Sequence, residues 1–247
     1  MSAKISCRHI VGSLGALIVC LVWFELTPTD IWLQQQLFDF TEQQWVVSSS
    51  DSLGRLLFYD GIKRILITFG LGLMLCLIFI RRLPALSSYK SGMRIVLLAL
   101  ILVPACIGAL KNTTNVACPR DLSQFGGDSV YAGIFGRYQK TNQSKAKYRC
   151  FPAGHASGGF ALLSLFFLFQ DSRNRRRALF AALATGWIMG AYKMLIGDHF
   201  LSHTVTTMLL AWLIVNAVAL ADSRIFRSAT DTLPQTRFGR EHSETDQ

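Results

Sequence analysis

Uncharged apolar blocks separated by short charged stretches set the pattern of this chain. Ile10 to Leu26 carries one acid, Glu25, near its end. Ile65 to Ile80 and Ile95 to Leu110 carry no charge. Ser157 to Phe169 is shorter, and the weakly polar turn before it lengthens it. Ala178 to Ile196 holds Lys193 alone, and Thr204 to Ala221 is uncharged. A helix needs about 17–25 residues to span hydrocarbon, and several blocks sit at or just below that limit. Any one block could be the buried helix of a soluble protein; six in succession argue against that. The first block follows Lys4 and Arg8 as a signal peptide would. It runs into Phe24-Glu25-Leu26-Thr27-Pro28 without a small-x-small cleavage pattern, so an uncleaved anchor is expected.

The expected fold class is therefore all-α, a polytopic membrane protein of six transmembrane helices forming one domain over residues 1–221. Residues 222–247 are expected to be a polar, disordered tail. Between helices 1 and 2, residues 27–60 contain apolar patches, Ile31-Trp32-Leu33 and Trp45-Val46-Val47, expected along the membrane interface.

Charge supplies an orientation. Lys4 and Arg8, then Arg81, Arg82, Lys90 and Arg94, then Arg173, Arg175, Arg176 and Arg177, and finally Arg224, Arg227, Arg237 and Arg240 fall in alternate connections. Basic residues near helix ends stay in the cytoplasm, which puts both termini there. The long outer connection breaks the rule with Lys111, Arg120, Arg137, Lys140, Lys145, Lys147 and Arg149, as a loop above an anionic-ligand site would. The formal net charge of +10 does not imply nucleic acid, because topology already uses most of the basic residues. Of six cysteines, Cys118 and Cys150 are the two in this outer loop, and in an oxidising compartment they are a candidate disulfide.

Three polar clusters border the membrane on this same outer side: Lys111 to Arg120, Phe151 to Gly159 and Lys193 to His203. Polar groups at such depth are costly and mark function. The clusters resemble the type 2 phosphatidic acid phosphatase superfamily of lipid phosphate phosphatases. That family's pattern is Lys, six residues, Arg-Pro; then Pro-Ser-Gly-His; then Ser-Arg, five residues, His, three residues, Asp. Lys111 and Pro119 match, with Cys118 in place of Arg and Arg120 two positions later. Pro152, Gly154 and His155 match, with Ala153 in place of Ser. His199 matches, while Tyr192-Lys193 replaces Ser-Arg and His203 replaces Asp.

The resemblance implies a bacterial inner-membrane enzyme whose site faces the periplasm, with core motifs in residues 111–203. His199 would be the nucleophile that forms a phosphohistidine, His155 the acid for the leaving oxygen, and His203 the acceptor that orients His199. Lys111, Arg120, Lys193, the backbone at Gly154 and the Ser157 hydroxyl are the expected phosphate contacts. Lipid phosphates, among them lipid A and undecaprenyl pyrophosphate, are the substrates it implies. No cofactor or metal is implied; the three histidines could ligate zinc, with Asp198 the sole evident fourth donor. Phosphate transfer to a second acceptor, or lipid binding without catalysis, are the alternatives.

Overall fold

The computed structural model describes residues 3–48, 52–136 and 147–231. Arg137, Lys140 and Lys145 of the basic loop, and Arg237 and Arg240 of the tail, lie outside the described residues. Helix α1 spans Ala3–Leu26 and the short α2 spans Thr29–Gln36. Two-residue strands β1 (Phe38–Asp39) and β2 (Gln44–Trp45) pair antiparallel, a small departure from an all-α chain. Helix α3 (Ser52–Arg55) continues through a π turn, Leu56–Gly61, into α4 (Ile62–Ile78). Then come α5 (Lys90–Thr113), α6 (Gly154–Ala161) with a 3-10 extension over Leu162–Phe167, α7 (Ser172–Leu195) and α8 (Leu201–Asp231).

Among the described residues, five helical stretches are long and apolar enough to cross a membrane: Cys7–Leu26, Ser52–Ile78, Pro84–Thr113, Ser172–Leu195 and Leu201–Ile225. The fourth apolar block becomes the shorter helix Gly154–Phe167. Large side chains such as Ile65, Ile101 and Phe180 stay exposed on the outside of the bundle, as residues facing lipid do. The fold is that of a helical polytopic membrane protein.

Close packing explains the small residues. A Cβ on Gly159 of α6 would stand 2.7 Å from the Gly186 Cα of α7, so the two backbones cross in near contact there. Membrane helices associate through such contacts, because lipid offers no hydrophobic drive between them. Buried Asn216 of α8 accepts through Oδ1 from His9 Nδ1 of α1 at 3.1 Å, an interhelical bond within the apolar zone. Residue 9 thus lies beside residue 216, while Asp30 lies beside Ser202. The start of α1 and the later part of α8 therefore lie at one end of the bundle.

The sequence boundary at residue 222 shifts. Helix α8 runs on to Asp231, because Asp222 is anchored to α5 by Arg94 at 2.8 Å and by the Ser91 hydroxyl. Residues 232–247 lie outside the described residues. Residues 27–48 also differ from an interfacial strip. Trp32 and Val46 do remain exposed, but Asp30 and Gln34 are buried, and Phe38, Trp45 and Phe125 form an aromatic cap with ring centroids 4.9–5.3 Å apart. Each such pair adds about 0.5–1.5 kcal/mol beyond area burial.

Candidate active site

The site sits where α5 ends, α6 begins and the turn between α7 and α8 returns. Pro152 precedes α6, and Ala153 fixes where that helix starts. Its N–H donates to the His203 carbonyl at 3.2 Å, and its carbonyl accepts from Thr207 Oγ1 at 3.2 Å. These bonds tie the start of α6 to the first turns of α8 and so bring His155 to His199. Helix α7 ends at Leu195 and the chain turns at Gly197, whose positive φ of 72° suits glycine, and a Cβ there would also strike the Trp45 ring. The chain then passes through Asp198 and His199 before α8 begins at Leu201.

Three imidazoles form a row. His155 Nδ1 stands 3.4 Å from His199 Nε2, and His199 Nδ1 stands 3.5 Å from His203 Nδ1. His199 and His203 are buried and His155 half-buried. These spacings are long for hydrogen bonds, as is usual before a substrate tightens a site. The His203 ring also donates to the Cys150 backbone carbonyl. His199 thus presents Nε2 to His155 and Nδ1 to His203. Burial holds the His199 imidazole well below its ordinary titration range, with His203, Lys111, His155 and Lys193 adding to the effect.

Cations surround this row. Lys111, in the last turn of α5, lies against α6, its Nζ 4.0 Å from where a side chain at Gly154 would begin. Lys193 Nζ pairs with Asp198 Oδ2 at 2.8 Å, and Arg120 pairs with Asp198 Oδ1. Arg120 also donates its backbone N–H to the Gly197 carbonyl at 3.1 Å. The structure thus brings His155, His199, His203, Lys111, Lys193, Arg120 and Gly154 to one place. Ser157 lines the same cavity, but its hydroxyl donates to the Gly154 carbonyl at 2.6 Å and turns along the helix instead of into the site.

Cys118 and Cys150 form a disulfide. It fastens the loop after α5 to the segment before α6, helped by the Cys150 N–H to Val116 carbonyl bond of 3.1 Å. Donor atoms of Cys150, His199 and His203 lie within 4.8 Å of one another. The Cys150 sulfur is bound to Cys118, however, so it is no thiolate for a metal and two imidazoles remain.

Sequence reasoning missed Asp30, Gln34 and the part played by Asp198. Gln34 Nε2 donates to the His199 carbonyl at 2.8 Å, and Asp30 Oδ1 accepts the Ser202 N–H at 2.9 Å. Their spacing of four, bracketing the apolar Ile31-Trp32-Leu33, was the available signal. Asp198, named from the sequence as a possible fourth donor beside the histidines, instead reaches Lys193 and Arg120.

Three imidazoles in a row among three cations, at one end of a helical bundle, form a setting suited to a phosphate group. The family model of the PAP2 superfamily matches residues 92–227, more than half of the chain, and the chain belongs to that superfamily. No curated protein and no solved structure matches it. Its chemistry is accordingly of the phosphatase type, acting on phosphate esters.

Proposed function

We propose that this protein is a metal-independent lipid phosphatase acting at the extracytoplasmic face. The observation that carries the lipid assignment is a cavity of about 620 Å3. It begins at Lys111, Gly154 and His155 and extends between α4 and α5 past Leu66, Gly70, Met74, Leu100 and Ile101. A phosphate at the polar mouth would leave its aliphatic tail along that apolar wall. The charge pattern supports the outer face, since Arg81, Arg82, Lys90 and Arg94, then Arg173, Arg175, Arg176 and Arg177, and then Arg224 fall in the connections opposite to the histidines, and the basic loop on the histidine side suits an anionic ligand.

The chemistry follows from the row of imidazoles. Lys111 and Lys193 hold the phosphate oxygens, and the free N–H groups opening α6 add donors. His199 Nε2 forms a bond to phosphorus as the bond to the leaving oxygen breaks. His155, kept protonated by the phosphate beside it, gives its proton to that oxygen. His203 accepts from His199 Nδ1 and so aims the nucleophile without supplying a negative charge. Water then attacks the phosphohistidine, His155 takes its proton, and inorganic phosphate leaves. Envelope lipids such as lipid A and undecaprenyl pyrophosphate are the substrates we favour.

The test is phosphate release by detergent-purified protein from diacylglycerol phosphate, undecaprenyl pyrophosphate, lipid A and a soluble aryl phosphate, with and without chelator. The expected result is preference for lipids, persistence in chelator and loss in His199→Ala. Equal turnover of the soluble ester, or release that chelator abolishes, would sink the assignment.

A further inference from the structure

The residues before position 92 lie outside the family match, yet some of them hold the nucleophile. Asp30 and Gln34 stand four apart on one face of α2, are 1% and 0% exposed, and both reach the turn between α7 and α8. The Gln34 amide donates to the carbonyl of His199 itself. The Asp30 carboxylate takes the Ser202 N–H, one of the donors that the first turn of α8 cannot satisfy internally, and so caps α8 from another segment. The same region grips the turn twice more. Trp45 covers Gly197, and the Val47 N–H bonds the Leu195 carbonyl at 3.4 Å. Residues 195–202 are thereby held by residues 30–47, with Val47 and Trp45 against the backbone before His199 and the two shortest bonds at the His199 carbonyl and Ser202 after it.

We infer that α2 is a positioning element for catalysis: Gln34 and Asp30 fix the backbone at the His199 carbonyl and at Ser202 just after it, and so aim the His199 Nε2 at the phosphorus. This rests on His199 being the nucleophile. An amide and a carboxylate buried together on one short helix are costly unless paired, and each has a backbone partner in this turn. Neither touches the cavity, Lys111 or Lys193, so their loss would spare substrate binding. A misaim of about 1 Å costs on the order of 100-fold in rate. The position of α2 ahead of the matched domain makes it a feature of this chain that the three motifs do not announce.

The test uses the full chain in detergent and compares wild type with His199→Ala, Asp30→Asn, Asp30→Leu and Gln34→Met. Melting temperature, kcat, KM and single-turnover phosphohistidine formation are measured for each. Asp30→Asn keeps a carbonyl acceptor for the Ser202 N–H; Gln34→Met keeps volume and removes the bond. The expected result is a fall in kcat and in phosphoenzyme rate of about 10- to 100-fold for Asp30→Leu and Gln34→Met, with KM within about twofold and Asp30→Asn near wild type. A folded Gln34→Met or Asp30→Leu protein that forms phosphohistidine at the wild-type rate overturns the positioning role. Loss in Asp30→Asn equal to that in Asp30→Leu overturns it as well. A wild type that turns over lipid without any phosphohistidine removes the nucleophile reading itself, and the inference with it.

Discussion

Each end of the bundle holds a carboxylate bound to basic side chains, and the two are built differently. At the end that holds the start of α1 and the later part of α8, Arg94 gives Nε to Asp222 Oδ1 at 2.8 Å and Nη2 to Oδ2 at 3.2 Å, and Ser91 adds a hydroxyl. The acid is 4% exposed and the three donors come from α5 alone. At the other end, Asp198 divides its oxygens between Lys193 and Arg120, which come from different segments and stand beside three histidines. One arrangement is a bidentate, saturated latch between α5 and α8. The other gathers cations that a phosphate could use as well. The same ionic chemistry is structural where one acid satisfies one arginine, and exchangeable where cations are shared at the mouth of a cavity.

The largest separation between the two ends should come from single substitutions at each. His199→Ala is expected to lower kcat by at least about a thousandfold, about 4 kcal/mol of barrier, with an unchanged melting temperature. Reducing the Cys118–Cys150 bond, which closes a 32-residue separation, should cost about 3–4 kcal/mol of stability at the site end, seen as earlier melting in dithiothreitol. Arg94→Ala strands a nearly buried Asp222 and should cost about 3 kcal/mol, while kcat per folded molecule stays at the wild-type value. A drop in kcat there would mean that the two ends are coupled.

Asp30 offers a pH-dependent contrast. It is buried like Asp222, but among the described residues no Lys or Arg forms a salt bridge with it, and burial raises its pKa to about 6. Bonds from Ser202 only partly offset that burial. The folded state therefore binds more protons than the unfolded state between about pH 4 and 6. Its stabilising contribution is complete below about pH 4 and is lost as pH rises through about 6. The difference amounts to at most about 3 kcal/mol. Asp30→Asn should flatten melting temperature against pH across this window and raise it at pH 7. An unchanged slope would mean that Asp30 is already neutralised by a partner.

What could be read from the sequence follows from what leaves a local pattern. Six apolar blocks were visible because lipid demands long runs from each helix, and only the shortest, Ser157 to Phe169, became a helix with a 3-10 end. The histidines were visible because motif spacing survives even where Cys118, Ala153 and His203 depart from the family pattern. Asp30 and Gln34 were not, since their partners are backbone groups of Ser202 and His199, 172 and 165 positions away, which impose no residue type. The continuation of α8 past residue 222 was hidden for a related reason. A polar tail composition predicts no helix, and only the meeting of Asp222 with Arg94 extends one. Ser157 shows the converse, a residue that spacing brings to the cavity while its hydroxyl is satisfied by its own helix.

The finest distinction between the two ends is tested at Asp198. If its carboxylate occupies the place a substrate phosphate takes between Lys193 and Arg120, then phosphate must displace or share that contact when it binds. Arg120 is 53% exposed, so its pairing contributes little in water; Lys193 is 13% exposed and dominates the balance. Asp198→Asn removes the competing charge and keeps an oxygen to hold both donors. Inorganic phosphate should then inhibit at roughly fivefold lower concentration, about 1 kcal/mol of affinity. Removing the acid also increases repulsion among Lys111, Lys193 and Arg120, which pulls in the other direction. That effect is the smaller one here, because an incoming phosphate cancels it. Weaker inhibition in Asp198→Asn would show that the acid serves mainly to hold its cations together, as Asp222 holds Arg94, and the contrast between the two ends would fail.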